Sequence, residues 1–205
     1  MADRRAEPFV LALSALRQRL RRGQVPLDTR LAASEIAAEL GLSATPVREA
    51  LSRLAGEGLL DDRRGEGFFV RRLGRADIAA LYRLSLAHLA LAVEGLAPDA
   101  PEAEPGGAEP PFDPVEAVER RFAAWAACGG RALAQSHARL QAQLGAVRRL
   151  EPRLFDDLAE EAEALLAAAE PGARRARLRA FHLRRARAAG RLAELMEAGP
   201  GVHPL

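Results

Sequence analysis

Ser43, Thr45 and Arg48 sit within the six residues "SATPVR", and together they suit contact with a polyanion. Small hydroxyl side chains at a helix start let free backbone N–H groups come close to phosphate oxygens. A guanidinium one turn further on offers the paired donors that match phosphate or the edge of a guanine. Arg53 follows on the same segment, off its apolar side. A second basic pair, Arg63 and Arg64, leads into Gly65 at a polar turn, where it can track a nucleic-acid backbone or enter a minor groove. Catalysis finds no comparable support: the sequence has no Gly-rich phosphate loop, no Ser-His-Asp order and no paired His or Cys at metal spacing. A non-enzyme without cofactor is the expectation.

Those side chains need rigid carriers. "EPFVLALSALRQRLRRG" puts Phe9, Leu13, Leu16 and Leu20 at helical spacing and predicts a helix over about 7–22, ended by Gly23. "QVPLDTRLA" reads as a turn pinned to a core by Leu27 and Leu31. Ser34 is expected to cap a helix of under two turns, "SEIAAELG", with Ile36, Ala37 and Leu40 inward and Gly41 as its stop. The next helix starts at once, with Ser43 or Thr45 as N-cap, Pro46 at the first helical position and Glu49 reaching back as in a capping box. Val47, Leu51 and Leu54 form its apolar face, and Gly56 and Gly58 end it. "LLDDRRGEGFFVRR" then predicts two short strands around a Gly-containing turn. Helix, helix, turn, helix and hairpin is the order of a winged helix-turn-helix, whose second motif helix lies in the major groove of DNA.

Beyond residue 75 the pattern is helical only. Asp77 is expected to cap a helix over about 77–96, with Ile78, Leu81, Leu84 or Leu86, and Leu89 to Val93 inward. Further helices are predicted over about 114–128, 131–148, 152–169 and 172–197. Residues 97–113, "APDAPEAEPGGAEPPFD", are too rich in Pro, Gly, Ala and Glu to sustain a helix and are expected to form a flexible loop. The fold class is therefore mainly α. A winged helix-turn-helix of three helices plus a β-hairpin wing is expected over 1–74, and an all-α antiparallel helical bundle over 75–205.

Composition agrees with this division. Of 205 residues, 49% are hydrophobic and only 4% aromatic, with Ala and Leu carrying most of the apolar content. All 30 basic residues are Arg, against 28 acidic ones; residues 1–75 carry a net +4 and the remainder −2. A basic module joined to a mildly acidic one fits polyanion binding by the first. Cys128 is the single cysteine, which excludes an intrachain disulfide or a cysteine-based zinc cluster and fits a reducing compartment. The N-terminal apolar run is broken by Ser, Arg and Gln, unlike a secretory signal, and no stretch approaches the roughly 20 apolar residues of a bilayer span. The expectation is a cytoplasmic protein without a membrane partner.

Over about residues 9 to 71 the chain closely resembles the GntR family of bacterial transcription regulators, through "TPVREAL", then "L..EGL" and "G.GFFV". The helical remainder resembles the FCD effector domain of the FadR and VanR branch, shortened and more VanR-like. The resemblance implies double-stranded DNA as partner, a palindromic operator, a homodimer, repression, and a small-molecule effector. It implies DNA contact by Ser43, Thr45 and Arg48 and by the wing around Arg64 and Gly65, with Ser34, Pro46, Arg53 and Arg63 alongside. Ala44 stands where family members usually carry Arg, which should weaken binding or change the operator.

Many FCD domains hold a divalent metal through Asp and His residues. "VERRFAAW" resembles the first ligand segment, with Glu119 in the Asp position and Ala123 in that of a His. "EEAEALLAAAEPG" offers Ala162 for the next His, and only His182 in "RAFHLRRA" fits. One His and one carboxylate are too few, so no metal is expected. Glu119, Trp125 and His182 remain as candidate effector-pocket residues. The alternative reading is a protein-interaction module, or a regulator whose degenerate effector domain no longer senses a ligand.

Overall fold

The computed structural model describes residues 7–94 and 113–199. By its internal contacts the chain divides into two compact units, Met1–Arg72 with Met196–Leu205, and Leu73–Leu195.

In the first unit, α1 (Pro8–Arg21) packs on α3 (Ala44–Gly56), which also packs on α2 (Ala33–Leu40). Its core gathers Ala12, Leu16 and Leu20 from α1, Ile36 and Ala37 from α2, and Val47, Ala50, Leu51 and Leu54 from α3. Phe9 and Leu13, expected on the apolar face of α1, are only half-buried; Ala12 takes the inner position. Strands β2 (Leu60–Arg63) and β3 (Gly67–Val70) form the expected hairpin, with Leu60 opposite Val70 and Arg63 opposite Gly67. A third strand, β1 (Arg30–Leu31), lies on the far side of β3 and pairs Arg30 with Phe69 and Leu31 with Phe68. The sequence reads this stretch as a turn only. Two residues are too short to show a strand period, and Asp28, at a φ of 57°, turns the chain into the ladder.

Three helix starts differ from expectation. Ala32, not Ser34, is the N-cap of α2, and Ser34 lies exposed inside the first turn. Ser43 is the N-cap of α3 but makes no side-chain capping bond, so Pro46 falls at the third helical position rather than the first. Proline is tolerated there because the first four N–H groups of a helix have no partner within it. Asp77 lies one turn inside α4 (Arg75–Val93), where its carboxylate accepts from the backbone N–H of Gly74, the true N-cap, at 3.1 Å.

The second unit is helical: α4, α5 (Pro114–Cys128), α6 (Arg131–Arg148), α7 (Leu158–Leu166), α8 (Pro171–Arg187) and α9 (Ala189–Glu197), the last running past the unit's boundary. The helix expected over 152–169 is a 3-10 turn, Glu151–Arg153, followed by α7, and that expected over 172–197 breaks at Ala188. Helix α4 packs on α5, α6 and α8, around a core of Leu89, Val93, Phe122, Trp125, Leu165, Leu178 and Phe181 among others. Tyr82 and Ser85 are buried on α4, whereas Leu84 and Leu91 are 48% and 63% exposed. By length and composition α4 could cross a bilayer, with a window of mean hydropathy 1.4, so the expectation that no stretch approaches such a span does not hold for it. A core helix meets the same criterion. The loop expected over 97–113 lies, but for Asp113, outside the described residues.

Candidate nucleic-acid interface

The turn between α2 and α3 is built by Gly41. Its φ of 66° is left-handed, and the chain closes over it by Leu42 N–H donating to the Ala37 carbonyl at 2.9 Å and Gly41 N–H to Ala38 at 3.4 Å. This is a Schellman stop, and a side chain at Gly41 would meet the usual cost of left-handed backbone. Three residues later α3 begins. Its buried side, Val47, Ala50, Leu51 and Leu54, fixes which residues remain outside. Ser43, Thr45 and Arg48 are exposed; Ala44 and Pro46 are half-buried. The uncapped start leaves the positive end of the helix dipole beside these side chains.

The arginines divide into engaged and free. Arg53 Nε donates to Glu57 at 2.8 Å, and Arg17 on α1 donates to both oxygens of the same carboxylate at 2.6 and 2.7 Å. Glu57 is 7% exposed, so the two guanidinium groups compensate a buried negative charge at the end of α3. Arg63 donates to Asp28 at 2.5 Å and lies 4.1 Å above the ring of Phe69. Arg48 and Arg64, both exposed, have no ion-pair partner within 4.0 Å among the described residues. Gly65, at a φ of 82°, makes the wing turn, closed by Glu66 N–H donating to the Arg63 carbonyl at 2.9 Å. Exposed Arg30 on β1 was not singled out in the sequence. A Cβ on Gly67 would stand 3.4 Å from its Nε, which puts this guanidinium beside the wing. Only the strand pairing reveals that proximity.

The candidate effector residues are dispersed through the bundle. Glu119 accepts from Arg149 at 3.3 Å. Trp125 is buried against Phe122, with Arg174 5.8 Å from its ring. His182 is fully buried: Nδ1 donates to the Leu178 carbonyl at 2.8 Å, which leaves Nε2 to accept from Ser85 Oγ at 3.0 Å. Desolvation pushes its pKa down to about 3, with the charges of Arg148 and Arg185 acting in the same direction against the Leu178 bond. His137 follows the same logic, lowered to about 4 by burial and by Arg148. The metal that the resemblance to FCD domains brings into question does not fit this arrangement. Ala123 and Ala162 cannot ligate, the His182 nitrogens are both engaged, and no group of three His, Cys, Asp or Glu stands at metal distance among the described residues. None of the three candidate residues lines a small cavity within the bundle that is bounded by Val118, Arg148, Glu151, Ala162, Phe181 and Arg185 among others.

Three helices, a Schellman turn and a three-stranded wing define the first unit as a winged helix-turn-helix. Residues 12–70 match the model of the bacterial regulatory proteins of the gntR family, so this segment is a GntR-family helix-turn-helix domain. A probable D-xylose utilization operon transcriptional repressor of Paenarthrobacter nicotinovorans is 48% identical over 56 residues, 27% of this chain and 25% of that protein. The HTH-type transcriptional regulator McbR of Escherichia coli (strain K12) is 37% identical over 87 residues, 40% of this chain and 39% of that one. The chain thus spans between about a quarter and under half the length of the curated relatives it matches. Among solved structures, E. coli McbR/YncC superposes with a TM-score of 0.64 at 23% identity, covering 91% of this chain and 98% of that one. A GntR regulator from Rhodococcus sp. RHA1 gives 0.67 at 20% identity, with 92% and 99% covered. At these identities the likeness is one of fold, and it extends through the helical unit.

Proposed function

We propose that the chain is a DNA-binding transcription regulator, a cytoplasmic homodimeric repressor that reads a palindromic operator. The exposed start of α3, without a side-chain cap and carrying Ser43, Thr45 and an Arg48 that has no ion-pair partner among the described residues, is the observation that supports this most directly. In this reading α3 enters the major groove, Arg48 donates to a guanine edge or phosphate, and Arg64 beyond Gly65 follows the flanking backbone. Ala44 and Thr45 approach the groove floor and Pro46 stiffens the turn. Ser34, exposed at the start of α2, reaches a phosphate. Arg53 and Arg63 hold the module together through Glu57 and Asp28. The helical unit serves as a shortened FCD-like effector and dimerisation domain without a metal.

The neutralisation of Arg53 and Arg63 also favours a second reading, a winged helix kept for contacts with another protein. Fluorescence anisotropy with duplex DNA from the chain's own upstream region, at two salt concentrations, separates the two. The regulator reading expects affinity that falls steeply with salt. Binding that is absent at low salt, or indifferent to Arg48→Ala, contradicts it.

A further inference from the structure

We propose that α4 forms a two-fold interface between copies of this chain, its exposed stripe Ala80, Leu84, Ala87 and Leu91 packing antiparallel on the same stripe of a second copy and crossing it at Ala87. The inner side of α4 is spent on its own bundle: Ile78, Tyr82, Ser85, Leu89, Ala92 and Val93 are buried, and the helix packs on α5, α6 and α8. The outer side of such a helix is expected to be polar. Here Leu84 and Leu91 are 48% and 63% exposed, with Ala80, Ala87 and Ala90 exposed beside them. Only 33% of the apolar window of α4 is buried, so a place in the core accounts for part of its apolar length and leaves the rest without a cause.

The spacing of the outer residues supplies one. Ala80, Leu84, Ala87 and Leu91 follow at intervals of four, three and four, the seam of two helices that wind on each other. Exposed Asp77 and Glu94, next in the same series, end the apolar run on either side. Self-complementarity selects the occupant. A two-fold axis at Ala87 lets the backbones approach where the side chain is a single methyl, sets Leu84 over the partner's Ala90, and lays Leu91 along the aliphatic stem of the partner's Arg83. Side chains on a helix lean towards its N-terminus, so in this pairing Arg83 reaches the partner's Glu94. Arg83 and Glu94 are exposed and have no ion-pair partner within 4.0 Å among the described residues. The axis makes this opposite-charge contact twice, once at each end of the seam. Parallel pairing in register would set like charges against each other. The interface rests on the homodimer of the proposed function, and its tests contain no DNA.

Sedimentation of the full chain at about 10 μM should give the mass of two chains, since a Kd of about 1 μM or tighter leaves mostly dimer there. Leu84→Glu or Leu91→Glu, each buried twice by the axis, should raise Kd at least about a hundredfold and leave monomer. Arg83→Glu and Glu94→Arg should each raise it about tenfold, and the two together should restore it. Ala87→Cys in a Cys128→Ser background should give a disulfide-linked dimer on mild oxidation, because helices crossing at that residue bring its Cα atoms to within about 7 Å. A monomeric unaltered chain, a dimer indifferent to both leucine substitutions, or no cross-link at position 87 would overturn the interface. If a glutamate variant loses its helical circular dichroism, the cross-link and the charge exchange decide in its place. A dimer of this kind that ignores duplex DNA contradicts the regulator reading alone, whereas a monomer that binds DNA contradicts the interface alone.

Discussion

Ser85 on α4 and His182 on α8 are joined inside the bundle by a 3.0 Å hydrogen bond, and the opposite ring nitrogen of His182 is spent on the Leu178 carbonyl. The pair fixes the neutral tautomer. Desolvation first, and then the nearby charges of Arg148 and Arg185, make protonation costly, so the pKa falls to about 3 in the folded chain against 6.5 for the free side chain. His137 falls to about 4. Both folded values lie below the unfolded one, so the unfolded state binds more protons between pH 6.5 and about 3, and stability must drop as pH falls through that window. Each histidine contributes up to about 1.4 kcal/mol per pH unit. Urea unfolding at a series of pH values from 7 to about 4 should show the decline, and His182→Gln should flatten it. An unchanged slope in that variant would remove His182 from the account.

Arg48 and Arg53 should separate in binding. Both are exposed on α3, but only Arg53 is ion-paired, to Glu57. Arg48→Ala should weaken duplex binding by about 1–3 kcal/mol with the unfolding midpoint unchanged. Arg53→Ala should cost less than about 1 kcal/mol in either assay, because the Arg53 side chain is itself largely in solvent and Arg17 still donates to both oxygens of the buried Glu57 carboxylate. Equal losses of affinity would mean that pairing with Glu57 does not sequester Arg53.

Gly41→Ala should destabilise the fold by about 1–2 kcal/mol, the cost of holding an L-residue in left-handed backbone. Nothing lies within 4 Å of where the methyl would stand, so the loss is backbone strain alone and Gly41→Asn should recover part of it. Recovery by Asn no better than by Ala in chemical denaturation would point to another cause.

Glu57 joins α1 to the end of α3 through Arg17 and Arg53. A carboxylate at a helix C-terminus opposes the dipole, and the two guanidinium groups offset that. Glu57→Ala should cost about 1–3 kcal/mol, since charge-assisted hydrogen bonds are lost at a buried position. A double-mutant cycle with Arg17→Ala reads the coupling directly, and purely additive losses would show that the bridge contributes nothing.

Local chemistry made the first unit legible from its residues. Gly23, Gly41 and Gly65 punctuate the chain where left-handed backbone is needed, and Val47, Leu51 and Leu54 repeat at helical spacing, so helix order and the wing could be read without any long-range information. Cap positions were less legible, because Ser34, Ser43 and Thr45 are chemically alike and which one leaves the helix depends on packing. What only the tertiary structure decided was pairing at a distance. The strand Arg30–Leu31 exists because β3 offers it partners. Arg63 is engaged because Asp28, 35 residues away, meets it, whereas Arg48 finds no such partner among the described residues. In the bundle, Arg148 and Arg185 look in the sequence like any solvated arginines of an Ala- and Arg-rich helix; folding buries them, and burial is what turns an ordinary charge into a demand for a counter-charge.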